Sequence, residues 1–406
     1  MAPYIQRHAE NTVRKLAAQF GAVLVTGARQ VGKSTLLRHV IPDVPELSLD
    51  DAAVLRSATD VPELFFRYNT PPIFVDEVQR APGLFLAAKE ALDESSAKGL
   101  LYFSGSDQFE MMQGGTESLA GRVGILTLTG LSLREQLGSE VADPFVPTGS
   151  FLSLRRQSIL PSAVWRHIHR GSMPELVANP EYDWNLFFGS YVRTYIERDV
   201  RRLVNVGDEM TFMRFMTVVA ARTGGLLNLA DIASEVGVSR TTAERWLSVL
   251  VTSHLVYLLH PYHTNVTKRA VKTAKLYFMD TGLAAYLTSW TSPEVIRDGA
   301  MAGAFFETFV VTEVLKGYYN AGVLDPPLYF YRDHDQREID LLIVRDGVMY
   351  PIEIKQSALP TAKDTNAFRV LDGFSGVKRG AGGVICMADT VQPLTTTDAL
   401  IPVSFV

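Results

Sequence analysis

Apolar positions recur with different periods along this chain. Over residues 1–140, short apolar runs at Ala22–Thr26, Glu46–Leu49, Ile73–Val75, Leu100–Ser104 and Gly124–Leu128 are interleaved with segments of helical spacing. Runs of that kind suit strands covered on both faces, so the pattern predicts an α/β domain on a parallel sheet. Residues 141–200 are punctuated by Pro144, Pro147, Pro161, Pro174 and Pro180, which predicts short helices and loops, a helical lid or linker. Residues 201–290 are mostly helical, and residues 291–406 return to mixed α/β with hairpin signals. The greasiest stretch, Leu247–Leu259, is broken by Ser248, Thr252, Ser253 and His254 and is too short to span a bilayer.

The first strand feeds Gly27-Ala28-Arg29-Gln30-Val31-Gly32-Lys33-Ser34-Thr35, and Leu36 onward opens a helix. This is the G-x-x-x-x-G-K-[ST] loop in its proper strand–helix context. Its glycines let backbone N–H groups curl around an anion, and the helix N-terminus adds positive potential. Lys33 is expected on the β- and γ-phosphates of ATP and Ser34 on Mg²⁺. The strand Ile73-Phe74-Val75 ends in Asp76-Glu77. Asp76 is expected to help hold Mg²⁺ and Glu77 to polarise the attacking water. Past the neighbouring strand, Ser106 is the candidate for bonding the γ-phosphate or the water, with Ser104 as the alternative. An arginine neutralising the transferring phosphoryl group, within the chain or across a subunit interface, is expected at Arg122 first and Arg198 second; Arg198 also reads as part of a surface salt-bridge network with Glu197, Asp199, Arg201 and Arg202.

Composition changes the picture little. Of 406 residues, 47% are hydrophobic and 20% charged, which excludes a disordered chain. The net charge of −5 means that any nucleic-acid surface must be local. Cys386 is the single cysteine, so no internal disulfide exists. The first residues, Met1 to Glu10, have no apolar core of a signal peptide, and the chain reads as cytoplasmic with no membrane partner.

In the middle region, Asn228–Val236 sets Leu229, Ile232, Ala233 and Val236 on one face, Gly237 offers a turn, and Ser239 suits the N-cap of a second helix, Arg240–Thr252. The strand Leu255–Tyr262 and a basic hairpin with Lys268, Arg269, Lys272 and Lys275 follow. That outline predicts a winged helix. Its alternatives are DNA binding, with Arg240, Thr241, Thr242, Glu244 and Arg245 in a major groove and the lysines on phosphates, or a lid packed behind the first domain.

Further on, Asp346-Gly347 is a two-residue hairpin turn. It pairs Arg345 with Val348, Asp340 with Glu353 and Glu338 with Lys355, gathering four polar groups on one face. The other face carries Ile339, Leu341, Ile343, Ile352 and Ile354. Two carboxylates so close need a cation between them.

Gly27–Thr35, Ile73–Glu77, Ser104–Ser106 and Ser118–Val123 together resemble the archaeal-type AAA ATPases. Tyr195–Val200, Lys275–Leu283 and Glu338–Asp340 with Glu353–Lys355 are similar to the bacterial members of that group. The resemblance implies an AAA-type P-loop NTPase domain (1–140), a helical segment (141–200), a winged-helix domain (201–290) and a mixed α/β C-terminal domain (291–406) of poorly defined function. Asp340 with Glu353-x-Lys355 further resembles restriction-endonuclease-like nucleases, in which an upstream helix adds a carboxylate; Glu307 matches that position. The resemblance implies a second metal site at Glu307, Asp340 and Glu353 with Lys355 beside them. The activities expected are a Mg-dependent ATPase acting on nucleic acid, or alternatively a nucleotide-gated switch with slow hydrolysis and no nuclease. DNA, a partner protein and a homo-oligomer stay open as partners.

Overall fold

The computed structural model describes residues 4–106, 119–155, 159–195, 209–263, 273–333, 335–374 and 376–406. The first unit opens with helix α1 (Glu10–Gln19), strand β1 (Ala22–Thr26) and helix α2 (Lys33–Val40). It continues through β2 (Glu46–Ser48), α3 (Ala52–Asp60), α4 (Pro62–Tyr68), β3 (Ile73–Asp76), α5 (Leu84–Asp93), β4 (Leu101–Gly105) and β5 (Val123–Thr127). The five strands form one parallel sheet in the order β2-β3-β4-β1-β5. Every residue of β1, β3 and β4 is buried, which is why these strands read as unbroken apolar runs. Each expected strand is found within a residue or so of its place. Thr26 pairs with both Gly105 and Thr127, so the C-terminal ends of β1, β4 and β5 share one edge, joined there by β3. Ligands of open α/β sheets bind at that edge.

A helical unit follows. It holds α6 (Leu133–Gln136), α7 (Gly149–Ser153), α8 (Pro161–Arg170), α9 (Pro174–Ala178), α10 (Trp184–Tyr195) and α11 (Glu209–Ala220). Next come α12 (Leu229–Val236), α13 (Arg240–Thr252), β6 (Val256–Leu259) and β7 (Lys275–Phe278), with α14 (Thr281–Leu287) and α15 (Pro293–Asp298) behind them. Asn228 caps α12 and Ser239 caps α13 through their side chains, and Gly237 takes the left-handed turn between the helices. β6 and β7 are antiparallel. The basic residues Lys268, Arg269 and Lys272 lie outside the described residues.

The C-terminal unit pairs the 19-residue helix α16 (Ala302–Asn320) with a mixed sheet. The strands are β8 (Leu328–Arg332), β9 (Glu338–Arg345), β10 (Val348–Ile354), β11 (Lys378–Arg379), β12 (Gly382–Cys386), β13 (Gln392–Pro393) and β14 (Asp398–Pro402). The order is β13-β14-β12-β10-β9-β8, with β11 alongside β10. Asp346 and Gly347 both have positive φ, 52° and 75°, and the hairpin runs in the expected register from Arg345↔Val348 to Leu341↔Ile352. Pro351 falls between the segments of β10 that pair with β11 and β12, so its missing N–H breaks neither ladder. One expectation is corrected. Tyr329 pairs with Leu342 but Tyr331 with Ile339, so β9 spends an extra residue there. That bulge flips the alternation. Leu341 and Ile343 join the main core, while Ile339 moves to a smaller cluster with Leu342, Met349 and Phe368.

Helix α16 is buried on nearly every side and packs against β5, β7 and β10, touching all three units. Burial of its polar residues is matched by pairing. Lys316 Nζ bonds Glu313 Oε1 at 2.7 Å and Leu131 O at 3.2 Å, and Glu313 Oε2 accepts from Leu133 N at 2.6 Å. Among the described residues no helix is long and apolar enough to cross a membrane. Replacing Lys316 with Ala leaves Glu313 buried without its counter-charge. The expected loss is about 3–5 kcal/mol of unfolding free energy, measured by urea denaturation.

Candidate functional site

The glycine-rich loop bends back over the sheet edge. Gly27 has φ 141°, and a Cβ there would meet Leu128 O at 1.9 Å, so only glycine fits. Gly32, at φ 92°, leads directly into α2. The loop thereby runs directly into the N-terminus of that helix, and a glycine-rich loop at a helix N-terminus is the arrangement that favours an anion. Lys33 is buried, and its Nζ donates to Gly27 O at 3.1 Å and Ala28 O at 2.8 Å within the loop. The carboxylate that ends β3 meets the start of α2: Ser34 Oγ donates to Asp76 Oδ1 at 2.7 Å. Ser104 Oγ donates to the same oxygen from β4. A hydroxyl and a carboxylate touching beside the loop are hard-oxygen donors of the kind Mg²⁺ takes.

Glu77 follows Asp76 in the left-handed region, φ 59° and ψ 42°, an uncommon conformation for a side-chain-bearing residue. Its carboxylate accepts from Gln79 Nε2, which also reaches Ser106 Oγ at 3.2 Å. Ser106 is therefore brought into the same network as Glu77, through Gln79. Sequence reading missed Gln79, whose only signal is its place two residues past Glu77.

It also missed the brace beneath the loop. Arg7 donates to Val31 O at 2.9 Å, to Thr129 O at 2.8 Å and to Glu135 Oε1 at 3.1 Å. Glu135 is buried, which by itself would raise its pKa. The charges of Arg7 and His8 and the amides of Ser132 and His8 instead hold it at about 2. Its carboxylate also lies 3.4 Å from Asn320 Nδ2 at the end of α16.

Arg122 is not brought to the loop. It stands at the start of β5, next to the first residue of β1, at the opposite end of the sheet, and bonds Asp93 Oδ1 at 2.6 Å. Arg198 and its neighbours lie outside the described residues. On α13, exposed Arg240 is paired with Glu244 at 2.9 Å.

The C-terminal carboxylates do come together, but an ammonium group sits among them. Lys275 Nζ lies 2.9 Å from Glu307 Oε1, 2.6 Å from Glu338 Oε1 and 3.8 Å from Asp340 Oδ1. The sequence groups Lys275 with the basic hairpin; its side chain is 5% exposed, because β7 turns it toward α16 and β9. Tyr277 OH also donates to Glu307 Oε1, at 2.7 Å. Burial would lower the pKa of Lys275, but Glu307, Asp340 and Glu338 push it above the ordinary lysine value. Glu353 bonds Lys355 Nζ at 2.6 Å. Burial, then the neighbouring Asp340, push Glu353 up to about 8. Asp340 does not face Glu353 across a ladder pair; its Oδ2 accepts from Ile354 N at 2.9 Å. Among the described residues, no group of three His, Cys, Asp or Glu side chains is arranged to hold a metal ion. Lys275→Met removes the cation that offsets these carboxylates. The expected cost is about 3–5 kcal/mol at pH 8, and less at pH 5, where Glu307 and Asp340, both raised by burial, take up protons in its place. Urea titrations at the two pH values measure the difference.

Residues 19–137 match an AAA domain. Residues 162–294 and 302–406 match two domains of unknown function, DUF8612 and DUF4143. The latter match brings no nuclease likeness with it. Uncharacterized protein Rv2008c of Mycobacterium tuberculosis and Uncharacterized protein Mb2031c of Mycobacterium bovis are each 30% identical over 358 residues, 88% of this chain and 75% of theirs. Among solved structures, a Walker-type ATPase of Pyrococcus abyssi aligns at 12% identity and TM-score 0.46, over 70% of this chain and 96% of its own. A STAND protein with a tetratricopeptide repeat sensor from Pyrococcus horikoshii aligns at 10% identity and TM-score 0.29, over 80% of this chain and 49% of its own.

Proposed function

This chain belongs to the family of the two mycobacterial proteins, and from its AAA domain we propose that it binds ATP with Mg²⁺ and hydrolyses it to ADP and phosphate. The observation that carries the reading is the contact of Ser34 with Asp76 at 2.7 Å, beside Lys33 on a loop that admits no side chain at Gly27. Lys33 exchanges its bonds to Gly27 and Ala28 for the β- and γ-phosphate oxygens. The amides of residues 28–35 cradle the phosphates. Ser34 and Asp76 would hold Mg²⁺, which would supply positive charge to offset that of the phosphates. Glu77, oriented by Gln79, takes the proton of the attacking water, and Ser106 steadies that water through the same amide. Arg122 has no part in this chain's own site.

A second reading, a nucleotide-gated switch that hydrolyses slowly, is favoured by one specific feature. The Arg7–Glu135–Asn320 connection runs from the loop to α16 and so to the C-terminal unit. Among the described residues, action on DNA rests on the exposed start of α13, since Lys275 is withdrawn into the carboxylate cluster.

Lys33→Ala is expected to weaken ATP binding by roughly 10–100-fold, through loss of a charged hydrogen-bond donor; calorimetry on the full chain measures it, and unchanged affinity contradicts the loop assignment. Glu77→Gln keeps that affinity and lowers turnover by about 100-fold or more. Phosphate release at the wild-type rate removes Glu77 as the base. Wild-type turnover slow enough to match the variant selects the switch.

A further inference from the structure

Glu77 and Gln79 stand on one tight turn. Glu77 leaves β3 and caps the 3₁₀ turn Val78–Arg80, and the Arg80 N–H returns to Glu77 O at 3.0 Å. Gln79 lies between two anchors on this turn. Val78 is buried in the core with Leu84 and Phe103, and the Arg80 guanidinium bonds the Asp50 carboxylate. A side chain held from both sides keeps its place, as a group working on a reactant must.

Gln79 is 5% exposed. Its Nε2 donates to Glu77 Oε2, and to Ser106 Oγ at 3.2 Å. A carboxylate only accepts, so the end of the amide that faces Glu77 is the NH₂. Its two N–H groups are both used, one on Glu77 and one on Ser106. The other end of the amide is different: Oε1 is buried with no hydrogen-bond partner. A buried acceptor left bare is costly, and it calls for a donor. This acceptor belongs to the residue that already touches Glu77 and Ser106, the two groups placed around the attacking water.

We propose that Gln79 is a second catalytic acceptor on that water: Gln79 Oε1 takes a hydrogen bond from one water proton while Glu77 takes the other. The proposal rests on the ATP reading above and adds to it a residue that touches a reactant. With both protons directed at fixed acceptors, a lone pair of the water is left for the γ-phosphorus. In the step itself a bond forms between the water oxygen and that phosphorus. The bond from the phosphorus to its bridging oxygen breaks, and the electron pair leaves on ADP. The proton facing Glu77 passes to its carboxylate, and the proton facing Gln79 stays with the new phosphate.

The test is a double-mutant cycle on the full chain with ATP and Mg²⁺. Gln79→Met fills a similar volume without either polar end, and it is made in the wild-type and Glu77→Gln backgrounds. Calorimetric ATP affinity is expected to be the same in all four proteins, since no group on the phosphates is changed. Phosphate release in a single turnover is expected to slow about 100-fold for Gln79→Met alone. In the Glu77→Gln background it is expected to slow about a further tenfold, the effect of one hydrogen bond to the water. No further loss in that background means that Gln79 acts only by aiming Glu77, which overturns the proposal and leaves the ATP reading in place. ATP affinity that falls in step with turnover overturns it as well. Gln79→Glu is the second variant: it keeps an acceptor and loses the N–H groups. Its turnover is expected to exceed that of Gln79→Met once the pH is high enough to ionise both neighbouring carboxyls; turnover no faster at any pH contradicts the role of Oε1. A wild-type chain that releases no phosphate from ATP overturns both this proposal and the hydrolysis reading.

Discussion

Gly27 has no space for a side chain, and that single constraint fixes the geometry of everything around it. The carbonyl of Leu128 lies where a Cβ would stand, so the chain leaving β1 is pressed against the chain leaving β5. From that point the loop has one course, over the sheet edge and into α2. Ser34 then lands beside Asp76, the end of β3, and Lys33 lands beneath the loop's own carbonyls. A parallel sheet supplies the edge, and its burial on both faces supplies the rigidity that an electrostatic site needs.

The loop is not an isolated device. Arg7 grips it from one side, and Glu135 holds Arg7 from below. Glu135 in turn reaches Asn320, four residues after Lys316 on the helix that crosses the molecule. At the other end of that helix, Glu307 is tied to Lys275 of the middle unit. Buried ion pairs of this kind are poor sources of net stability, because desolvation offsets most of the attraction. They are strict about geometry, however, since a displaced partner leaves a charge unmatched. Such pairs at both ends of one helix tie its position to the surroundings of the loop at one end and to the middle unit at the other.

Much of this is legible in the sequence, for identifiable reasons. β1, β3 and β4 are buried on both faces, so their apolar runs mark them directly. The hairpin turn is local: Asp346 and Gly347 accept positive φ, and the register follows from them. What escapes depends on contacts distant in the chain. The bulge in β9 is set by its neighbour β8, so alternation counted from the turn fails beyond Leu341 and misplaces Ile339. Lys275 reads as one of a basic group, yet three carboxylates from Glu307, Glu338 and Asp340 gather around it only in the fold. Arg7 lies upstream of every recognisable motif. Arg122 follows a small-residue turn that suggests a site, and strand direction puts it at the end of the sheet away from its own chain's loop.

The central claim is that the loop, Ser34 and Asp76 form a grip for a magnesium-bound triphosphate. A crystal structure grown with a slowly hydrolysed ATP analogue and Mg²⁺ tests it most directly. The account predicts the ion between Ser34 Oγ, Asp76 and the phosphates, with Lys33 Nζ moved from the carbonyls of Gly27 and Ala28 onto phosphate oxygens. A loop without nucleotide at saturating analogue, with Lys33 still on those carbonyls, contradicts it.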